Sequence, residues 1–196
     1  MKLALGTAQF GSSYGIANST GQVLTNEAAK ILGLARSVGI TTLDTAASYG
    51  DSEKCLGKIG VSEWRVITKL PSLPDYVSNV SNWLHAQVNA SMSNMRLSCV
   101  DGLLLHRPLE LLGANGKEYL AALHKIKESG LVSSIGISIY APEEIDLIFP
   151  VFKPDIIQAP FNVFDRRLLT SGWLARLEEE KVRVHLRSVF LQGLLL

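Results

Sequence analysis

Cysteine is scarce in this 196-residue chain, at two residues, Cys55 and Cys99. Two thiols so far apart cannot staple a disulfide scaffold; they fit a reduced compartment and read as buried spacers. Charge of one sign is lacking too, since 19 lysines and arginines oppose 18 aspartates and glutamates, for a formal net charge of +1. The basic groupings Lys125/Lys127 and Arg166/Arg167 are too short to neutralise a run of phosphates, so no nucleic-acid partner is expected. No stretch approaches the roughly 18 uninterrupted apolar residues of a membrane span. The apolar start Met-Lys-Leu-Ala-Leu-Gly gives way at once to polar residues, as a first strand would and a secretion leader would not. A soluble, cytoplasmic protein with no membrane partner is expected.

Several motifs are missing as well. A dinucleotide-binding open sheet would place Gly-x-Gly-x-x-Gly directly after the first strand, and this chain has Gly6-Thr-Ala-Gln-Phe-Gly11. No Gly-Lys-Ser/Thr phosphate loop occurs. His85, His124 and His185 show no metal-ligand spacing, so no metal site is expected.

What is present is alternation. At 47% hydrophobic the chain can bury one substantial core, and a single domain over 1–196 is expected. Short apolar, β-branched runs predict seven strands: Lys2 to Gly6, Thr41 to Asp44, Arg65 to Lys69, Val100 to His106, Ser133 to Ser138, Ile156 to Gln158 and Arg183 to Arg187. Segments of helical period lie between them: Asn26 to Val38 behind Thr25 as N-cap, Asp75 to Met95, Gly116 to Ser129, Pro142 to Ile148 and Leu168 to Glu180. Repeated βα units without the dinucleotide fingerprint point to an α/β fold, a (β/α)8 TIM barrel. A complete barrel takes about 250 residues and eight strands. The barrel is therefore expected to be incomplete at the C-terminus, the chain being a fragment or its gap covered by a partner. Self-association through the exposed edges and the apolar tail Leu194, Leu195, Leu196 is the corresponding expectation.

Four polar residues, Asp44, Tyr49, Lys69 and His106, fall at or just past strand ends, where barrels of this kind collect their chemistry. Taken singly, each has a plain reading: a capping acid, a loop aromatic, a lysine snorkelling to the rim, a packed histidine. Taken together they suit hydride reduction of a carbonyl. Negative charge develops on the oxygen, a donor must protonate it, and tyrosine can do so once its reference pKa of about 10 is tuned. The lysine ammonium is expected to lower that pKa, the carboxylate to hold the lysine, and the histidine to orient the carbonyl.

The stretch Leu-Asp44-Thr-Ala-Ala-Ser-Tyr49-Gly, then Ser52-Glu53 and Leu56-Gly57, resembles the signature of the aldo-keto reductase family. Ile67-Thr-Lys69, Leu-Leu-His106, Gly-Ile-Ser138, Ile-Gln158-Ala-Pro-Phe-Asn162 and the Arg187 to Leu195 tail extend the likeness over essentially the whole chain, closest to a bacterial branch. The resemblance implies NADPH-dependent reduction of an aldehyde or ketone, with NADH as the alternative cofactor and a small-molecule carbonyl as substrate. It implies Tyr49 as proton donor, Asp44 and Lys69 as its tuning pair, and His106 as substrate orienter. For the cofactor it implies Thr7 and Asp44 at the nicotinamide ribose, Ser138 and Gln158 at the carboxamide, and Ser188, Gln192 and Gly193 near the pyrophosphate. Ile139 replaces an asparagine common in the family, and Arg187 replaces a tyrosine that stacks on nicotinamide; a planar guanidinium can also stack. The alternative is an inherited tetrad on a truncated barrel that serves as a binding or assembly module. Tyr14, in the polar Gly11 to Gly21 loop, is a candidate substrate contact, and Trp64, Trp83 and Trp173 read as packing aromatics.

Overall fold

The computed structural model describes residues 3–196, so Lys2, the expected first strand residue, lies outside the described residues. Seven parallel strands form one sheet in sequence order: β1 (Ala4–Gly6), β2 (Thr42–Asp44), β3 (Arg65–Leu70), β4 (Gly102–Leu105), β5 (Ile135–Ser138), β6 (Ile156–Pro160) and β7 (Arg183–Arg187). Each strand pairs only with its sequence neighbours, as in a barrel wall, and β1 and β7 are the two edges. The fold is thus an incomplete (β/α) barrel. The helices are α1 (Ala8–Gly11), α2 (Thr25–Ser37), α3 (Ser52–Ile59), α4 (Val80–Met95), α5 (Gly116–Glu128), α6 (Glu143–Ile148), α7 (Arg167–Thr170) and α8 (Trp173–Glu179).

Most strand boundaries agree with the hydrophobic runs within two residues, and the helices show where pattern alone misleads. Thr25 is the first helical residue of α2 rather than its cap; that position falls to Leu24, which gives no side-chain cap. The segment from Asp75 stays irregular until Asn79, whose side chain accepts from the Asn82 amide and starts α4 five residues later than expected. The expected helix over Leu168 to Glu180 splits in two, because Gly172 takes φ +82°, a left-handed conformation that ends α7 and opens α8. The α3 helix has no counterpart among the expected elements. Of the two cysteines only Cys55 is buried; Cys99 is exposed.

Strand alternation divides the core. Odd and even residues face opposite sides, so Val66, Thr68 and Leu70 of β3 point outward and Ile67 and Lys69 inward. Val66 and Leu70 join the large cluster between sheet and helices, with Leu43, Leu103, Leu105, Ile135, Ile137 and Ile157. Inward, Ile67, Leu104 and Ile156 form a separate small cluster that plugs the barrel interior. Gly136 makes room for that plug, since a Cβ there would lie 2.7 Å from Leu104 Cδ2. Two residues further along the same inward faces come Lys69, His106 and Gln158. The apolar plug is therefore the floor on which the polar residues stand, all at the carboxyl ends of the strands.

At the open side, the β7 edge and the segment after it carry exposed Leu186, Val189, Phe190, Leu194, Leu195 and Leu196. No described helix is long and apolar enough to cross a membrane.

Candidate active site

Lys69 is the centre of the polar layer. Its side chain has no solvent exposure, and Nζ donates to both Asp44 carboxylate oxygens and to the Thr45 carbonyl, each at 2.9 Å. Three protons meet three acceptors, which is what a buried ammonium needs to remain charged. Burial pulls the Lys69 pKa down, and the Asp44 carboxylate opposes that pull. Asp44 in turn accepts from the Gln158 side-chain amide at 2.7 Å, and the Ser138 hydroxyl donates to the Gln158 Oε1 at 3.3 Å. The line Lys69, Asp44, Gln158, Ser138 thus runs across the inside of the sheet from β3 and β2 to β6 and β5.

Tyr49 and His106 lie over this layer. Lys69 Nζ stands 4.9 Å from the Tyr49 ring centroid, and the Tyr49 and His106 rings meet edge to face at 6.0 Å and 77°. The Ser48 hydroxyl and His106 Nδ1 are 3.2 Å apart. The expected tetrad is therefore one contiguous cluster.

The electrostatics of the phenol run opposite to expectation. Burial first, and the Asp44 charge second, push the Tyr49 pKa well above its ordinary value. The physical reason is that the lysine charge is spent on the carboxylate, so the phenolate meets a nearly neutral pair together with lost hydration. For His106, burial first, then the Lys69 and Arg187 charges, push the pKa down to about 4, leaving a neutral imidazole at physiological pH.

The Tyr49 loop is held by a backbone contact between two glycines. A Cβ on Gly11 would lie 1.7 Å from the Tyr49 carbonyl oxygen, and one on Gly50, at φ +55°, would lie 2.2 Å from the Gly11 carbonyl oxygen. No side chain fits between α1 and this loop.

The other expected cofactor positions separate into two groups. Thr7 is fully buried; its hydroxyl donates to the Asp44 carbonyl at 3.0 Å and lies 2.9 Å from the Ser52 hydroxyl, so its side chain faces α3, whereas Ser138 and Gln158 belong to the inward polar layer. Ile139 is buried in the outer core and faces away from the mouth. Arg187 ends β7, donates to the Ile139 carbonyl at 2.9 Å and stacks 4.6 Å from the Tyr140 ring centroid. Ser188, Gln192 and Gly193 lie in a tight turn after it, with φ of +58°, +56° and +97°. There Gln192 Oε1 accepts from the Ile16 amide at 3.2 Å, joining the turn to the loop that carries Tyr14. Among the described residues no cluster of metal ligands exists.

A cleft of about 810 Å³ opens beside His106, lined among others by Ser48, Arg107, Glu110, Tyr140 and Glu144. The sequence pattern does not single out these residues. Arg107 and Tyr140 each fall within two residues of a strand end, the signal that marks the tetrad. Glu110 and Glu144 are held by backbone amides, of Leu73 for the first and of Tyr140 and Ala141 for the second.

The arrangement of strands is matched among known proteins. The model of the aldo/keto reductase family matches residues 2–196. The chain belongs to that family. It is 27% identical over 170 residues to the aldo-keto reductase YhdN of Bacillus subtilis, covering 80% of this chain and 50% of that protein. It is 27% identical over 164 residues to a 6-dehydroglucose reductase of Agrobacterium fabrum, covering 74% and 54%. The chain spans about half the length of the curated relatives it matches. Among solved structures, the holo form of aldo-keto reductase AKR11C1 from Bacillus halodurans superposes with a TM-score of 0.78 at 20% identity, covering 98% of this chain and 63% of that one. The glycerol dehydrogenase AKR11B4 of Gluconobacter oxydans gives 0.72 at 23% identity, covering 97% and 60%. Identities at that level speak for the fold alone.

Proposed function

We propose that this chain reduces an aldehyde or ketone to the alcohol, with NADPH as hydride source and Tyr49 as proton donor, NADH being the alternative cofactor. The observation that carries this reading is the buried Lys69–Asp44 pair beneath the Tyr49 ring, with His106 against the same ring. The buried polar layer also fits a nicotinamide. Ser138 and Gln158, at 1% and 3% exposure, offer donor and acceptor atoms suited to a carboxamide, and the partly exposed Asp44 carboxylate suits a ribose hydroxyl, with Thr7 acting only through the Asp44 carbonyl. Bound NADPH would supply a hydride to the carbonyl carbon.

The chain's own residues account for the proton. Tyr49, its pKa raised, is fully protonated at neutral pH and holds its proton until a stronger base appears. An alkoxide forming on the substrate is such a base. The phenolate left behind is favoured by the Arg187 charge, since that of Lys69 is held by Asp44. His106 is neutral; in the tautomer in which the Ser48 hydroxyl donates to Nδ1, the ring proton sits on Nε2 and can hydrogen-bond the carbonyl oxygen. The cleft beside it combines Ser48, Arg107 and Glu144 with Pro108, Leu109 and Tyr140, so it suits a carbonyl compound with both polar and apolar parts.

The test is NADPH titration by quenching of tryptophan fluorescence, followed by turnover of a generic aldehyde by wild type and Tyr49→Phe. Binding, with turnover that the substitution abolishes, is the expected outcome. No quenching at millimolar NADPH, or turnover unchanged in the variant, would refute the assignment for this chain.

A further inference from the structure

We infer that Ser52 and Glu53, the first turn of α3, act as a positioning clamp that sets the Lys69–Asp44 pair from the outer side of the sheet. The functional consequence rests on the reading of Lys69 and Tyr49 above; the geometric part does not.

Neither residue touches the cluster. Glu53 is a carboxylate at 3% exposure, which is costly unless its oxygens are filled, and both are: Oε1 accepts from the Thr68 hydroxyl at 2.7 Å and Oε2 from the Asn94 side-chain amide at 3.3 Å. Thr68 is 1% exposed and directly precedes Lys69 on β3. Alternation sends the Thr68 side chain outward to α3 and the Lys69 side chain inward to the mouth, so fixing one fixes the other across the strand. Gly57 lies one turn later on α3, where a Cβ would stand 2.0 Å from the Asn94 carbonyl oxygen. That close approach of α3 and α4 brings Asn94 within reach of Glu53.

Ser52 does the same for the neighbouring strands. Its hydroxyl, fully buried, lies 2.9 Å from the Thr7 hydroxyl and 3.0 Å from the Thr45 hydroxyl, and donates to the Thr7 carbonyl at 2.9 Å. Thr7 comes directly after β1 and Thr45 directly after β2. The Thr7 hydroxyl in turn donates to the Asp44 carbonyl, and the Thr45 carbonyl accepts from Lys69 Nζ. One helical turn therefore grips the carboxyl ends of β1, β2 and β3, the last two of which carry Asp44 and Lys69. A contact needed only to pack α3 could be apolar; polar groups with directional bonds to three adjacent strand ends set position as well as contact.

The experiment compares wild type with Thr68→Val, which removes the hydroxyl at constant shape, Glu53→Gln, and Thr68→Ser, which keeps the hydroxyl. Acetylation of Lys69 is followed by peptide mass spectrometry against Lys127 as internal reference, and kcat and KM are measured with NADPH and an aldehyde. Labelling of Lys69 is expected to rise roughly fivefold in Thr68→Val and Glu53→Gln with Lys127 unchanged, as the ammonium gains access to solvent. Turnover kcat is expected to fall roughly tenfold with KM within about threefold, as misplacement without loss of binding predicts. Thr68→Ser should behave as wild type. Unchanged Lys69 labelling in both variants, or a rise at Lys127 alongside Lys69, would overturn the clamp and leave a purely structural network. Should wild type show no turnover, the proposed function fails, and the labelling still decides the clamp.

Discussion

Substituting Lys69 by methionine tests the core of the site through stability alone. The ammonium is fully buried and makes three bonds at 2.9 Å. Methionine matches the side chain in length, so the main loss is charge, and Asp44 is left without its counter-ion. Removing one member of a buried pair costs about 3–5 kcal/mol. Here Asp44 keeps the Gln158 amide at 2.7 Å, and its side chain is 17% exposed, which moves the cost to the low end, about 3 kcal/mol. For a domain of this size each kcal/mol shifts Tm by about 2–4 °C, so a fall of roughly 6–12 °C is expected. Asp44→Asn should cost more, because the charge it strands is the one with no exposure at all. The double variant Lys69→Met/Asp44→Asn should be no less stable than Asp44→Asn alone, since neither charge then remains. Thermal unfolding measured by circular dichroism and tryptophan fluorescence reads all three. A shift below about 2 °C for Lys69→Met, or strict additivity in the double variant, would refute the buried pair.

Three further outcomes concern other parts of the molecule. Tyr119 is fully buried with a hydroxyl that has no hydrogen-bond partner among the described residues, so Tyr119→Phe should raise stability by about 1–3 kcal/mol. Burial raises the Tyr119 pKa; the unfolded chain ionises above about pH 10 while the folded one stays neutral, so stability falls as pH rises past 10, and less steeply in Tyr119→Phe. Urea titrations at about pH 8 and 10.5, on either side of the unfolded pKa, would show both effects. The His106 pKa of about 4 lies below its unfolded value, so its stabilising share is complete above about pH 6.5 and is lost as pH falls toward 4; NMR of the imidazole should show no titration between about pH 5.5 and 8. Gly11→Ala places a Cβ 1.7 Å from the Tyr49 carbonyl oxygen, and the backbone must part; a loss of about 1–3 kcal/mol and on the order of 100-fold in turnover is expected, and unchanged values would show that the loop yields freely.

The repeated βα order is legible along the chain, because period-2 apolar runs and period-3.6 segments are local properties and each strand pairs with the next one in sequence. Equally legible are the residue types at the strand ends, hence the candidates Asp44, Tyr49, Lys69 and His106. Neither α3 nor the late start of α4 can be located that way, since a buried Ser-Glu pair reads as a polar loop and a cap such as Asn79 shows only in its geometry. Electrostatics belong to the folded arrangement. Whether Lys69 lowers the Tyr49 pKa depends on where its charge is spent, and three-dimensional placement puts Asp44 on both sides of that balance: it neutralises the lysine and repels the phenolate. The same holds for Ser52 and Glu53, whose part in the molecule exists only because strand alternation sets Thr68 and Lys69 back to back. Local pattern specifies what each strand end carries; the distances, burial and shared hydrogen bonds that turn those residues into one site arise only from packing.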